Sequence, residues 1–168
     1  MPIIKNFIFI IFITALVGQA KAEEVKKMGT HKDWETYVIN SEQGKTCFAQ
    51  SKPVLQAPKT SPREARLFIT FRPNEKITNE ISITAGYDFN TKNSITAISG
   101  KNKYKFDIAQ EGFAWMADNK QEQKMIKIMK KGSRIMITGY NQKGSQTIDH
   151  YPLLGFTKAY NATKANCS

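Results

Sequence analysis

Ser145, Asp149 and His150 are the residue types of a serine hydrolase triad, and they lie close together in the sequence. Such an enzyme holds its serine on a strained turn with a base within hydrogen-bond reach. The Gly-x-Ser-x-Gly signature of that turn does not occur in the sequence. Because adjacent strand residues point to opposite faces, Asp149 and His150 would be separated. We expect His150 to be a solvent-facing strand residue and Asp149 to belong to a turn or a hydrogen-bond network.

Several carboxylates could in principle serve glycoside hydrolysis, which needs two of them facing each other across a cleft. Their spacing singles out no pair: Glu80, Asp88, Asp107, Glu111 and Asp118. The chain has only two histidines and two cysteines, and their spacing does not match a structural zinc site. We therefore expect a protein that is not an enzyme and that has no catalytic residues, metal or cofactor.

Aromatic residues beside glycines offer a different chemistry, since exposed rings can stack on sugars. Tyr87 and Phe89 follow Gly86, and Trp115 lies three residues after Gly112. Rings of this kind are more often core or corner residues of a β-sandwich, and the same holds for Trp34. We expect these four aromatic residues in the core, with a sugar-binding surface as the alternative.

The first 22 residues have the layout of a secretory signal peptide. Lys5 precedes the uncharged run 7–17, and Ala20 and Ala22 occupy the −3 and −1 positions of a cleavage site. The run is shorter than the roughly 20 residues of a membrane span, and no cysteine follows it for a lipid anchor. We predict a signal peptide over 1–22, a flexible leader over 23–32 and a single domain over 33–168. The mature chain would have no transmembrane segment and would occupy the periplasm or outer cell envelope, or be secreted.

Cys47 and Cys167 lie 120 residues apart, near the two ends of the expected domain. In an oxidising compartment, two lone cysteines in one domain most simply form a disulfide. A loop of this length would stabilise the fold by somewhat less than about 5 kcal/mol. Two free thiols, or a bridge between chains, are the alternatives.

The chain is basic, with a net charge of +11 that falls to +9 once Lys5 and Lys21 leave with the signal peptide. A basic exported domain is attracted to anionic surfaces, so such a surface is a possible partner. The densest basic segment is only 124–131, and nucleic-acid binding needs charge organised into a patch or groove. We expect no nucleic-acid partner.

From Trp34 onward the chain alternates short β-prone runs with turn residues, as in Leu67, Ile69 and Phe71 opposite Phe68 and Thr70. Prolines make 52–63 a loop or an edge segment. Helical spacing predicts helices over 119–131, with Asp118 as N-cap, and over 156–166. This pattern predicts an all-β protein, a β-sandwich with one or two short helices. The nine predicted strands are 34–40, 45–51, 65–72, 79–85, 94–98, 103–108, 112–117, 133–140 and 145–151.

An ordered set of motifs over residues 33–167 resembles the invasion-associated locus B (IalB) family. The motifs are Asp33-Trp34; Cys47 with Ser51-Lys52-Pro53; Thr70-Phe71-Arg72-Pro73; Asn79-Glu80-Ile81-Ser82; Ala85-Gly86-Tyr87-Asp88-Phe89; Ala114-Trp115; Met129-Lys130-Lys131-Gly132; Lys143-Gly144; Asp149-His150-Tyr151-Pro152-Leu153; Gly155-Phe156-Thr157-Lys158-Ala159-Tyr160; and Cys167. The family commonly has Asp-Thr-Tyr-Ser-Leu at 149–153, and Pro152 is expected to end the strand there.

This resemblance implies an immunoglobulin-like β-sandwich and an exported envelope protein of a Gram-negative, alphaproteobacterial type of cell. The family takes its name from a member implicated in entry into host red cells, and it brings no catalytic residue, metal or cofactor to this chain. We therefore expect a non-enzymatic envelope protein that acts by surface contacts with an envelope or host-surface component, in host-cell association or invasion. The alternative is a periplasmic binding module for an anionic or sugar ligand. The oligomeric state stays open.

Overall fold

The computed structural model describes residues 24–60 and 62–168, and the predicted signal peptide lies outside them. The described chain forms two α-helices and twelve β-strands. The strands are β1 (Glu24–His31), β2 (Trp34–Ser41), β3 (Gly44–Ser51), β4 (Leu55–Ala57), β5 (Arg66–Arg72), β6 (Ile77–Thr84), β7 (Ile95–Ser99), β8 (Asn102–Phe106), β9 (Ile108–Gln110), β10 (Phe113–Trp115), β11 (Arg134–Tyr140) and β12 (Gln146–Pro152). The helices are α1 (Asn119–Met129) and α2 (Phe156–Asn166), and a short 3-10 helix at Pro73–Glu75 joins β5 to β6.

The strands form two antiparallel sheets that enclose one hydrophobic core. The larger sheet has the order β1-β2-β3-β5-β6-β10-β9 and the smaller one the order β4-β12-β11-β7-β8. Burial alternates along the central strands, because a pleated strand turns successive side chains to opposite faces. Buried residues of both sheets belong to the same core cluster. The predicted all-β sandwich is confirmed.

Each of the nine predicted strands is present, and the structure adds β1, β4 and β9. The prediction of a flexible leader over 23–32 is wrong, since Glu24–His31 pairs with β2 along its length. β1 is an exposed edge strand, so its backbone hydrogen bonds order it without an alternating side-chain pattern.

The predicted run 103–108 divides at Asp107, and the chain passes there from the smaller sheet to the larger one.

α1 begins and ends close to its predicted limits. The Asp118 carboxylate accepts hydrogen bonds from the backbone N–H groups of Lys120 (2.7 Å) and Gln121 (3.3 Å), as an N-cap does. After the helix, the N–H of Gly132 donates to the carbonyl of Ile128 (2.8 Å). These local hydrogen bonds follow from the capping residues that the sequence displays.

α2 packs against β2 and β3 of the larger sheet. Its Phe156 ring lies 4.9 Å from that of the fully buried Trp34, whose indole N–H donates to the carbonyl of Pro152. Pro152 is the last residue of β12 and pairs with Arg134 of β11, so the strand continues one residue past its predicted end at 151. Gly155 precedes the helix with φ +93°, and a Cβ there would collide with the carbonyl of His31. Only glycine combines this backbone conformation with so close an approach.

A disulfide joins Cys47 on β3 to Cys167 just after α2, with a Cα–Cα distance of 5.7 Å. The predicted pairing is therefore confirmed, and the alternatives of free thiols or a bridge between chains do not apply. Both half-cystines are buried. The bridge attaches the end of the C-terminal helix to a central strand of the larger sheet.

Candidate functional site

The residues of the possible hydrolase triad do not come together. Asp149 is buried, with 3% of its surface exposed, whereas His150 lies on the outer face of β12 and is half-buried. Ser145 is exposed in the turn before that strand, where its N–H donates to the Asn141 side chain (2.9 Å). The sequence prediction for these residues is confirmed: Asp149 belongs to a network and His150 to a strand surface.

That network centres on a bidentate ion pair between Asp149 and Arg63. The two guanidinium nitrogens donate to the two carboxylate oxygens at 2.9 and 2.7 Å. Gln56 donates to the same carboxylate (3.2 Å) and also accepts from the Arg63 backbone N–H (3.1 Å). Both charged side chains are more than nine-tenths buried. The pair therefore attaches the proline-rich segment to β12, which is a structural role.

The outer face of the larger sheet carries a row of rings that we call the aromatic stripe: Tyr37, Phe48, Phe68, Phe113 and Trp115. Successive ring centroids lie 5.1, 6.0, 6.1 and 5.6 Å apart. The residue between Phe113 and Trp115 is fully buried, so these two rings face outward. Phe113 is 37% exposed, and the other four rings are half-buried. The stripe crosses the neighbouring strands β2, β3, β5, β6 and β10 with no layer over it in the described chain.

Hydrogen-bonded ion pairs border the stripe at its β2 end and along one side. At one end, Glu35 accepts from Lys27, from the Tyr37 hydroxyl (2.8 Å) and from Gln50 (3.4 Å). The bond from the Lys27 ammonium, followed by that from Tyr37, lowers the pKa of the Glu35 carboxyl to about 2. These charges neutralise each other, so this end of the stripe has little net field.

Along one side of the stripe, Arg72 on β5 and Glu80 on β6 form a bidentate pair. The guanidinium donates to the two carboxylate oxygens at 3.1 and 2.8 Å, and its Nε donates to Glu75 (3.1 Å). Such two-point pairs fix both side chains in one plane. They provide a polar border with a defined geometry beside the apolar rings.

A groove of about 570 Å³ lies over the stripe. Beside it lies a second cavity, of about 510 Å³, that also reaches α1. Arg72, Glu80, Gln110 and Trp115 line both of these spaces. The two therefore form one continuous concave surface, which we call the aromatic groove.

Glu122 lines the part of the aromatic groove below α1 and is 8% exposed. Its Oε1 accepts a hydrogen bond from the backbone N–H of Ile81 (2.5 Å). Burial, aided by the negative charge of Glu80, raises the pKa of Glu122 to about 7 despite that hydrogen bond. A carboxyl that changes charge near neutrality thus contacts the groove.

Glu122 was not among the carboxylates singled out from the sequence, although a signal for it was present. It shares the inward face of α1 with Met125, Ile126 and Met129, at the spacing i, i+3, i+4 and i+7. A charged residue within an apolar helical face is a candidate for a buried titratable group. Of the carboxylates that were named, Glu80 and Glu111 line the groove, Asp118 caps α1, and Asp88 and Asp107 are exposed.

The aromatic residues predicted for the core divide into two groups. Trp34 and Phe89 are buried, and the partly buried Tyr87 packs against the core and shares a hydrogen bond with Thr147 (2.5 Å). Trp115 corrects the prediction, because it lies on the outer face. Phe68 and Phe113 lie on that face too, and no local sequence pattern groups these rings.

Within residues 24–60 and 62–168, no cluster of three or more metal-ligating side chains occurs. No helix in the same ranges is long and apolar enough to cross a membrane.

These features define an all-β sandwich with a disulfide-anchored C-terminal helix and an open aromatic groove. The chain belongs to the invasion-associated locus B family, since that family's pattern, described as "Invasion associated locus B (IalB) protein", matches residues 34–164. The resemblance read from the motifs is thereby confirmed. The crystal structure of invasion associated protein B from Bartonella henselae is similar, with a TM-score of 0.53 and 12% sequence identity over 86% of this chain and 97% of that one. At this identity the similarity shows a shared fold. No curated protein sequence matches the chain.

Proposed function

We propose that this member of the invasion-associated locus B family is an exported envelope protein that acts by binding a partner through the aromatic groove. The observation that carries the proposal is the aromatic stripe, which extends across the open face of the larger sheet. Catalysis is not part of the proposal, because the groups suited to it are structural or scattered.

A row of aromatic rings on an open sheet face has an unfavourable free energy of hydration, because its apolar surface contacts water. Each aromatic side chain can bury roughly 150–250 Å², and apolar patches bordered by polar groups mark binding sites. The outer face of the smaller sheet has a different composition, with Ile98, Met136, Thr138, Lys103 and Lys105 at outward positions. The contrast between the two faces favours the larger sheet as the contact surface.

Binding to cells tests the contact role. Phe113→Thr combined with Trp115→Thr removes two outward rings but keeps residues that favour strands. The matched control, Ile98→Thr with Met136→Thr, makes the same kind of change on the opposite face. Labelled wild-type protein and control should bind red cells or isolated bacterial envelopes equally, and the groove variant should bind at least tenfold more weakly. Equal binding by all three proteins would contradict the proposal.

Export and host contact need a separate test. The family membership and the signal-peptide pattern of residues 1–22 support export. Protease treatment of intact cells and of cells with a permeabilised outer membrane distinguishes the locations. Digestion in intact cells would support a role in host-cell association. Protection until permeabilisation would contradict that role and direct the search for a partner to the periplasm.

A further inference from the structure

We propose that the aromatic groove binds an uncharged oligosaccharide. This inference rests on the proposed contact function and adds the chemistry of the partner. Three properties of the groove support it: the stacking surface, the polar groups beside that surface, and the balance of charge.

The stacking surface suits a chain of rings better than a single compact ligand. The stripe spans five neighbouring strands, which at the usual strand spacing is about 19 Å. The face of an aromatic ring is electron-rich and attracts weakly positive C–H groups. One side of a pyranose presents such C–H groups, so successive sugars can lie on successive aromatic rings. Phe113 and Trp115 stack on each other with an interplanar angle of 21°, and Phe113 is the most exposed ring of this platform.

The polar groups beside the rings are those that recognise hydroxyls. Gln110 is exposed beside Phe113 and offers both an amide donor and an amide acceptor. Glu80 and Arg72 line the groove and hold each other in a fixed plane, and their bidentate pair does not use all of their lone pairs and N–H groups. Sugar hydroxyls both donate and accept, so they can satisfy both kinds of group at once.

The charge of the groove favours a neutral ligand. The chain has an excess of cations, but the charged residues that line the groove are Arg72, Lys76, Glu80, Glu111 and Glu122. Arg72 and Glu80 neutralise each other, and the remaining residues add no cationic excess. An anionic glycan or lipid headgroup would find no favourable field here. The volumes of the two parts, about 510 and 570 Å³, lie in the range of roughly 300–1,000 Å³ typical of small-ligand sites.

The test uses the fluorescence of Trp115, which is one of only two tryptophans in the chain. The other, Trp34, is fully buried and does not contact the groove. The probes are tetrasaccharides of β1,4-glucose, α1,4-glucose, β1,4-N-acetylglucosamine and α1,6-mannose, with a hyaluronan tetrasaccharide as the anionic comparison. At least one neutral probe should give a saturable change, confirmed by calorimetry, and the anionic probe should bind more weakly.

Three variants connect the signal to the groove. Phe113→Thr should weaken the binding about tenfold or more through the loss of stacking. Gln110→Ala, at an exposed position that the fold does not need, should weaken it about threefold to tenfold. Trp115→Phe removes the fluorophore and keeps a smaller ring, so the fluorescence change should disappear while calorimetry still detects a weakened binding.

The outcomes separate this inference from the proposed function. If no neutral probe binds at concentrations up to about 10 mM, or if the anionic probe binds best, the oligosaccharide proposal is overturned. The contact function survives that result if the groove variant still loses cell binding. If a neutral probe binds but the groove variant keeps full cell binding, the oligosaccharide site stands and the proposed contact role fails.

Discussion

Glu122→Gln should remove most of the loss of stability that the wild-type protein shows as the pH rises toward neutrality. The raised pKa means that, between pH 4.5 and about 7, the native state keeps a proton that the unfolded chain releases. Stability therefore falls as the pH rises through this window, and the loss is complete above pH 7. Glutamine carries no charge at any pH and can still accept the hydrogen bond from Ile81.

The magnitude follows from the two pKa values. A rise from the ordinary 4.5 to about 7 corresponds to about 3.4 kcal/mol, at roughly 1.4 kcal/mol for each pH unit between them. About 2.5 kcal/mol of this appears between pH 5 and pH 8, because the unfolded carboxyl is already largely ionised at pH 5. Glu122 is 8% exposed but borders the open groove, so solvent screening makes about 2.5 kcal/mol an upper figure.

The assay is urea unfolding of both proteins at pH 5 and at pH 8. The free-energy advantage of Glu122→Gln over wild type should grow by up to about 2.5 kcal/mol from the lower pH to the higher one. Glu42→Gln, at an exposed position in the turn between β2 and β3, is the matched control and should run parallel to wild type. Growth of less than about 1 kcal/mol for Glu122→Gln would refute the reasoning. The carboxyl would then be well solvated in the native state.

Three further substitutions test the scaffold. Cys47→Ala with Cys167→Ala should lower the free energy of unfolding by about 2–5 kcal/mol, because the unfolded chain regains the freedom of a 120-residue loop; thermal unfolding with and without reductant measures it. Asp149→Ala should cost about 3–5 kcal/mol, because it leaves the Arg63 guanidinium buried and unpaired; denaturant titration measures it. Gly155→Ala should cost more than about 1 kcal/mol in the same titration, since it adds a side chain at φ +93° against a backbone carbonyl.

Each of these substitutions has a matched comparison. Glu75→Ala removes an exposed partner of an ion pair and should cost about 0–1 kcal/mol; an equal cost for Asp149→Ala would contradict the role of burial. Gly144 has φ +81° with open space around it, so Gly144→Ala isolates the backbone strain. Gly155→Ala should therefore lower the free energy of unfolding more than Gly144→Ala does. For the disulfide, a melting temperature unaffected by reductant would show that the bridge contributes no stability.

Local patterns determined much of this fold. Alternation of apolar and polar residues located the central strands, since the pleat alone turns Leu67 and Phe68 to opposite faces. Asp118 marked the start of α1 through its own hydrogen bonds. The cysteine count and the predicted compartment favoured a disulfide between Cys47 and Cys167, which the structure contains. In each case the information lies in a few residues or in their number.

The formation of β1 and the division of the predicted run 103–108 into two strands depended on partners that are distant in the sequence. Residues 24–31 show no alternation, but β2 provides a row of backbone hydrogen-bonding groups that orders them. The run 103–108 looks like one strand, but its end pairs with β10 in the other sheet. The backbone makes these bonds, so the side-chain sequence does not reveal them.

The sequence by itself determined the family, the all-β class and the helix limits of this protein, because these follow from local pattern and motif order. Only the tertiary structure decided which faces of the sheets are covered. β5 has apolar side chains on both faces, and the second sheet covers only one of them, which leaves Phe68 and its neighbouring rings outside. The packing of α1 on β6 likewise buried Glu122 beside that surface. Burial depends on what the rest of the chain places over a residue, and that is a property of the complete fold.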